Sequence, residues 1–152
     1  MSNLEPNDRV VVNDGEHRNK HGKVIGGTIY GLIERTYPVQ LDNNDNSKIP
    51  EAFLEYENLR SDELTEQITN VRVQVNKVAD QLPGETGKEL PNHLQYLGDA
   101  IASKDKEWAG REYNYVAKNL EAASQRGFIT KEWMETIRIP FEKLDWAVKR
   151  LS

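Results

Sequence analysis

The sequence predicts an α+β chain in two parts: a small antiparallel β-barrel over residues 1–58, then an antiparallel bundle of three or four helices over residues 59–152. Three observations predict it. Short β-branched runs alternate with Gly, Asn and Asp turns up to about residue 57. From Ser61 the apolar spacing changes from about 2 residues to about 3.5. No apolar run approaches the roughly 18 residues of a membrane span.

The N-terminal elements follow in order. Arg9 to Val12 is a β-branched run, and Asn13-Asp14-Gly15 is turn chemistry that tolerates positive φ. The chain resumes at Gly22-Lys23-Val24-Ile25. Gly26-Gly27 then predicts a bulge or bend within a strand that continues through Thr28-Ile29-Tyr30, and Gly31-Leu32-Ile33 either continues that strand or starts another. Tyr37, Val39 and Leu41 alternate on one face, with Pro38 expected at a strand start or on an edge. Asp42 to Ser47 is a turn, and Ile49 to Leu54 closes the series. Four or five short strands with Gly-rich corners predict a small barrel.

These residues carry a resemblance. Val10-x-Val12-x-x-Gly15, followed by Gly22-Lys23-Val24, resembles the KOW motif of SH3-like barrels. Such a segment usually has a glycine in mid-loop. Here Asn19 stands there, a residue that can adopt the left-handed conformation. The resemblance covers about residues 5–58. It implies an SH3-like fold, and a family that binds RNA, ribosomes, polymerases and proteins.

In the second part, Ser61 is expected as an N-cap, with Asp62 and Glu63 in the first turn. Leu64, Ile68, Val71, Val75, Val78 and Leu82 form a heptad stripe, stopped by Pro83-Gly84. Gly84 to Glu89 is expected to be a loop, and Pro91 to open the next helix. That helix carries Leu90, Leu94, Leu97 and Ile101. With no strict breaker around Ser103, one long helix over residues 91–126 is compatible with the pattern, as are two. Gly127 stops it. Thr130 caps a last helix striped by Trp133, Ile137, Phe141, Leu144, Val148 and Leu151, which Pro140 should kink or split near Ile139. The heptad stripe can pair within the chain or with a second copy.

The chain has no cysteine, which excludes disulfides and thiolate metal sites and fits a reducing, cytoplasmic setting. The opening residues MSNLEPND have neither the basic segment nor the apolar core of a signal peptide. The net charge is −5, against the basic face that nucleic-acid binding usually needs. Residues 1–57 hold ten acidic and six basic side chains, so the acidity concentrates there.

Gly84 to Glu89 echoes a phosphate-binding loop, yet Leu82 stands where the first glycine belongs and Glu89 where a hydroxyl is required. His17 and His21, beside Asp14 and Glu16, have metal-ligand chemistry, but four-residue spacing aligns ligands only on a helix. Glu51, Glu55, Glu57, Asp42 and Asp45 have the charge to mimic nucleic-acid phosphates or to hold a basic partner.

The expected function is therefore non-enzymatic: an interaction or adaptor protein that binds another protein, with no cofactor, no metal and no membrane partner. Its sharper form is an acidic inhibitor of a nucleic-acid-binding protein, as small acidic proteins of mobile elements are. The expected contact residues are Arg18, Lys20, His21 and Lys23 at the hairpin tip, and Tyr115 and Trp146, which fall off the helical stripes. The alternative, implied by the KOW resemblance, is a nucleic-acid- or ribosome-binding module that uses the same basic tip.

Overall fold

A computed structural model describes residues 4–31 and 34–151. The chain divides into two compact units, Met1–Asn58 and Leu59–Ser152. The first is an antiparallel sheet of six strands: β1 (Arg9–Val12), β2 (His21–Val24), β3 (Ile29–Tyr30), β4 (Arg35–Leu41), β5 (Asn46–Pro50) and β6 (Leu54–Tyr56). The second contains five helices: α1 (Ser61–Val78), α2 (Thr86–Ala102), α3 (Lys106–Gln125), α4 (Lys131–Thr136) and α5 (Arg138–Arg150).

The sheet runs β3-β4-β2-β1-β6, with β5 on β4. It is open among the described residues, and the closed barrel expected from the sequence is not formed by strand pairing. Pro50 ends β5, and a 3-10 turn at Glu51–Phe53 redirects the chain so that β6 pairs with β1. Alternation along the strands buries Val10, Val12, Val24, Tyr37, Val39, Leu41, Ile49 and Leu54 in one core.

The β1–β2 hairpin is built as its residues dictate. The Val12 carbonyl accepts from the Asn19 N–H at 2.7 Å, while the Val12 N–H donates to the Lys20 carbonyl at 2.9 Å. Two residues thus oppose one, a bulge whose first residue must be left-handed. Asn19 takes that role with φ +70°, and Gly15 turns the loop at φ +81°. Gly22 is required for a different reason. A Cβ there would lie 2.6 Å from the Gln40 carbonyl oxygen and 2.9 Å from Val39 Cγ1.

Two expectations for the sheet are corrected. Pro38 is neither at an edge nor at a strand start but inside β4, opposite Lys48 of β5. On its other side it faces Ile25, whose N–H donates to the Pro38 carbonyl at 2.9 Å. Proline cannot return the second bond, and β2 ends one residue earlier, at Val24. Gly26-Gly27 therefore lies in the connection to β3 rather than within a strand. Leu32 and Ile33 lie outside the described residues.

In the helical unit the stripes pack as their spacing demands. Ile68, Val71 and Val75 of α1 bury against Leu90, Leu94 and Leu97 of α2, Val116 and Leu120 of α3, and Leu144 and Val148 of α5. Ser61 is the first helical residue rather than the cap, and Arg60 caps without a side-chain bond. Thr86 to Glu89 is the first turn of α2, not a loop, so the phosphate-loop echo ends in helix. Gly87 is needed there because a Cβ would collide with the Ala79 carbonyl. Pro91 consequently lies within α2, not at its opening.

The long segment is two helices. Lys104 takes φ +58°, and Asp105 caps α3 by accepting from the Trp108 N–H at 3.0 Å. Thr130 caps α4 through the Trp133 N–H at 3.0 Å, as its position predicts. The Pro140 break falls at Ile137 rather than Ile139. The ring of Pro140 would clash with the carbonyl four residues back, at Thr136, and that is where α4 stops.

Gly22→Ala is expected to destabilise the N-terminal unit by about 1–3 kcal/mol. Asn19→Gly, which keeps the left-handed residue, should be near neutral. Amide hydrogen exchange at Val10, Val24 and Val39 reads both, and unchanged protection in Gly22→Ala would contradict the close-approach argument.

Candidate functional site

The face of the sheet opposite the valine core carries a charge network. Arg9, at the start of β1, donates to both Asp42 oxygens at 2.8 and 2.9 Å and to Glu57 Oε2 at 2.9 Å. The Arg9 and Glu57 side chains are 1% and 2% exposed. Burial opposes the guanidinium charge, but the hydrogen bond to Asp42 and the charges of Glu57 and Asp42 outweigh it and hold the Arg9 pKa above its ordinary value. His21 Nδ1 lies 2.9 Å from the same Glu57 oxygen. Asp42 and Glu57, two of the acids expected to meet a basic partner, are therefore engaged inside the unit.

The expected contact residues of the tip are placed as follows. Arg18 and Lys20 are exposed on the β1–β2 loop, and Lys23 is half-buried in β2. His21 is tied into the Arg9 network. The loop also displays Asp14 and Glu16, with Glu16 Oε1 3.2 Å from His17 Nε2. The two carboxylates match Arg18 and Lys20 in number, so the loop carries both signs of charge.

The remaining acidity converges elsewhere. Glu34, Glu51 and Glu55, with Arg35 and Asn13, line a cleft of about 510 Å3 floored by Leu54. Glu34 precedes β4, Glu51 opens the 3-10 turn and Glu55 lies in β6, so the chain path around the open sheet assembles them. Arg35 lies 4.0 Å from Glu51, and Asn13 Nδ2 donates to Glu55 Oε1 at 2.9 Å. Three carboxylates thus face one guanidinium. Beside the cleft, Tyr30 is 75% exposed and its ring lies 5.5 Å from the Arg35 guanidinium carbon. Ile25 and Ile29 are exposed on the same unit.

Sequence reasoning passed over Tyr30. The available signal is a two-residue strand after paired glycines, too short to bury either side chain. Glu34 and Arg35 were likewise missed, because nothing local brings them to Glu51 and Glu55.

In the helical unit, Tyr115 is half-buried. Its hydroxyl donates to Glu89 Oε2 at 2.6 Å and its ring lies 3.9 Å from that of His93. The hydrogen bond to Glu89 raises the pKa of the hydroxyl. His93 Nδ1 meets Glu112 Oε2 at 2.5 Å, and Trp108 Nε1 donates to Glu112 Oε1 at 3.3 Å. Trp146, expected as an exposed contact residue, is 4% exposed with the Arg150 guanidinium carbon 5.4 Å from its ring. A position off the apolar stripe did not leave it in water, because the buried arc of α5 extends past the stripe to include it. Asp145, also on α5, is half-buried. Burial raises its pKa, Lys149 lowers it and Glu142 raises it, with a net rise. Among the described residues no three His, Cys, Asp or Glu side chains converge to hold a metal ion.

Glu57→Ala leaves Arg9 its two bonds to Asp42 and should cost about 1–3 kcal/mol, while Asp42→Ala with Glu57→Ala takes both carboxylates from the buried guanidinium and should cost about 3–5 kcal/mol. Urea unfolding of the two variants checks this, and an equal loss in the single and the double variant would contradict it. For Asp145 the folded pKa exceeds the unfolded one, so its protonated form is favoured on folding and stability falls as pH rises through the ordinary carboxylate range. Asp145→Asn should therefore stabilise the helical unit at pH 7, by less than about 1 kcal/mol given solvent screening. The gain should vanish below about pH 4 in the same unfolding assay. Comparison with known proteins finds no matching family model, no matching curated protein and no matching solved structure.

Proposed function

We propose that the chain is a non-enzymatic interaction protein whose N-terminal unit holds a basic segment of another protein in the Glu34–Glu51–Glu55 cleft. The observation that carries this is the charge imbalance of the cleft: three carboxylates against one guanidinium, in a concavity on the more acidic part of the chain. Lysine and arginine side chains would pair with the carboxylates, and Tyr30 offers a ring against which an arginine can stack. We read the unit as SH3-like. The order β5-β4-β2-β1-β6, the 3-10 turn between β5 and β6, and the left-handed Asn19 support that reading. Where the basic segment is one that grips nucleic acid, occupancy of the cleft would block it. That is the inhibitor form of the proposal, and it suits a cytoplasmic protein.

The nucleic-acid reading depends on Arg18, Lys20 and Lys23. Asp14 and Glu16 on the same hairpin offset two of these charges.

Fluorescence anisotropy separates the two. A labelled Lys/Arg-rich peptide is expected to bind, and replacing Glu34, Glu51 and Glu55 by Gln should weaken it about tenfold. Arg18→Ala with Lys20→Ala should leave peptide binding unchanged. Single-stranded RNA or duplex DNA that binds more tightly than the peptide, with a steep salt dependence lost in Arg18→Ala with Lys20→Ala, would overturn the proposal.

A further inference from the structure

The helical unit contains a second cleft, of about 520 Å3, between α3, α4 and α5. Its base is apolar. Leu120 and Ile137 are core residues there, and Met134 packs beside them. The rings of Tyr113 and Phe141 form part of the wall, with centroids 4.8 Å apart and planes tilted by 50°.

The polar part of the lining is unbalanced. Glu121, Glu135, Glu142 and Asp145 stand against Lys131 and Arg138. Arg138 is already engaged, 2.8 Å from Glu135 and 3.4 Å from Glu142. Asp145 is half-buried beside Glu142 and Tyr113, and Lys149 offsets its burial only in part. A half-buried carboxylate next to a second one is stabilised by any cation that reaches it.

We propose that this cleft binds a small organic cation, a primary amine or quaternary ammonium on an apolar body about the size of one aromatic ring. The volume is in the range of small-molecule pockets, and the lining has their composition: apolar walls with a few converging polar groups. Tyr113 and Phe141 line the cleft with aromatic rings, whose faces attract an ammonium, and Asp145 and Glu142 supply the counter-charge. An anion of the same shape would meet like charge, and a neutral analogue would form no ion pair with Asp145. The site lies on different elements from the Glu34–Glu51–Glu55 cleft, and neither proposal depends on the other.

The test is a titration of the 15N-labelled full chain, followed by amide chemical shifts, with phenethylamine, phenethyl alcohol and 3-phenylpropionate as matched probes. Benzyltrimethylammonium serves as a second cation. Both cations are expected to give saturable shifts centred on α3, α4 and α5, with phenethylamine binding about tenfold or more tightly than the alcohol or the acid. Glu142→Gln and Asp145→Asn should each weaken the amine several-fold. Ala117→Phe, which fills the cleft, should abolish the shifts while spectral dispersion shows that the fold is kept. Equal affinity for all three matched probes, shifts centred elsewhere, unchanged amine affinity in both carboxylate variants, or no saturable shift with either cation would each overturn the proposal.

Discussion

The buried guanidinium of Arg9 is the constraint on which the N-terminal unit depends. An arginine stays charged under all ordinary conditions, so burying one obliges the fold to bring carboxylates to it. Here they come from the turn after β4 and from the residue after β6, 33 and 48 positions along the chain. The start of β1, the β4–β5 turn and the end of β6 are thereby pinned to one another. The Glu57 N–H also donates to the Arg9 carbonyl at 3.0 Å, which extends the β1–β6 pairing to the same point. His21, the first residue of β2, joins through Glu57, so the hairpin is tied to the network by a side chain expected as a contact residue.

That network also sorts the charges. Of the acids that make the unit negative, Asp42 and Glu57 are turned to structural use, and Asp14 and Glu16 balance the cations of the hairpin loop. Of the six others, three gather around the 3-10 turn, where Glu51 and Glu55 line one cleft with Glu34. The same turn that redirects the chain from β5 to β6 therefore builds the cleft. Architecture and candidate function share one local cause, the interruption of strand pairing after Pro50.

The helical unit repeats this relation between interruption and concavity. Pro140 cannot continue the helix begun at Lys131, so α4 stops after six residues and α5 begins at Arg138. The corner at Ile137 is anchored in the core, while Met134 and Phe141 flank it and line the cleft against α3. The break at Lys104 is of another kind: a left-handed residue and an aspartate cap form a tight corner between α2 and α3.

Local chemistry was legible along the whole chain. The valine run of β1, the left-handed tendency of Asn19, the alternation of Tyr37, Val39 and Leu41, the Thr130 cap and every helical stripe follow from side-chain branching, spacing and capping. Those depend on neighbours within a few residues, and the sequence by itself determined them. Some misreadings were local, such as the Ser61 cap and the exact place of the Pro140 break; in others a partner distant in sequence intervened. Pro38 is tolerated inside β4 because β2 ends opposite it. Trp146 is buried by packing that no stripe drawn on one helix displays. Only the tertiary structure decided which charges would be consumed and which would reach the surface, because pairing Arg9 with Glu57, or gathering Glu34, Glu51 and Glu55, joins residues whose separation along the chain says nothing of their separation in space.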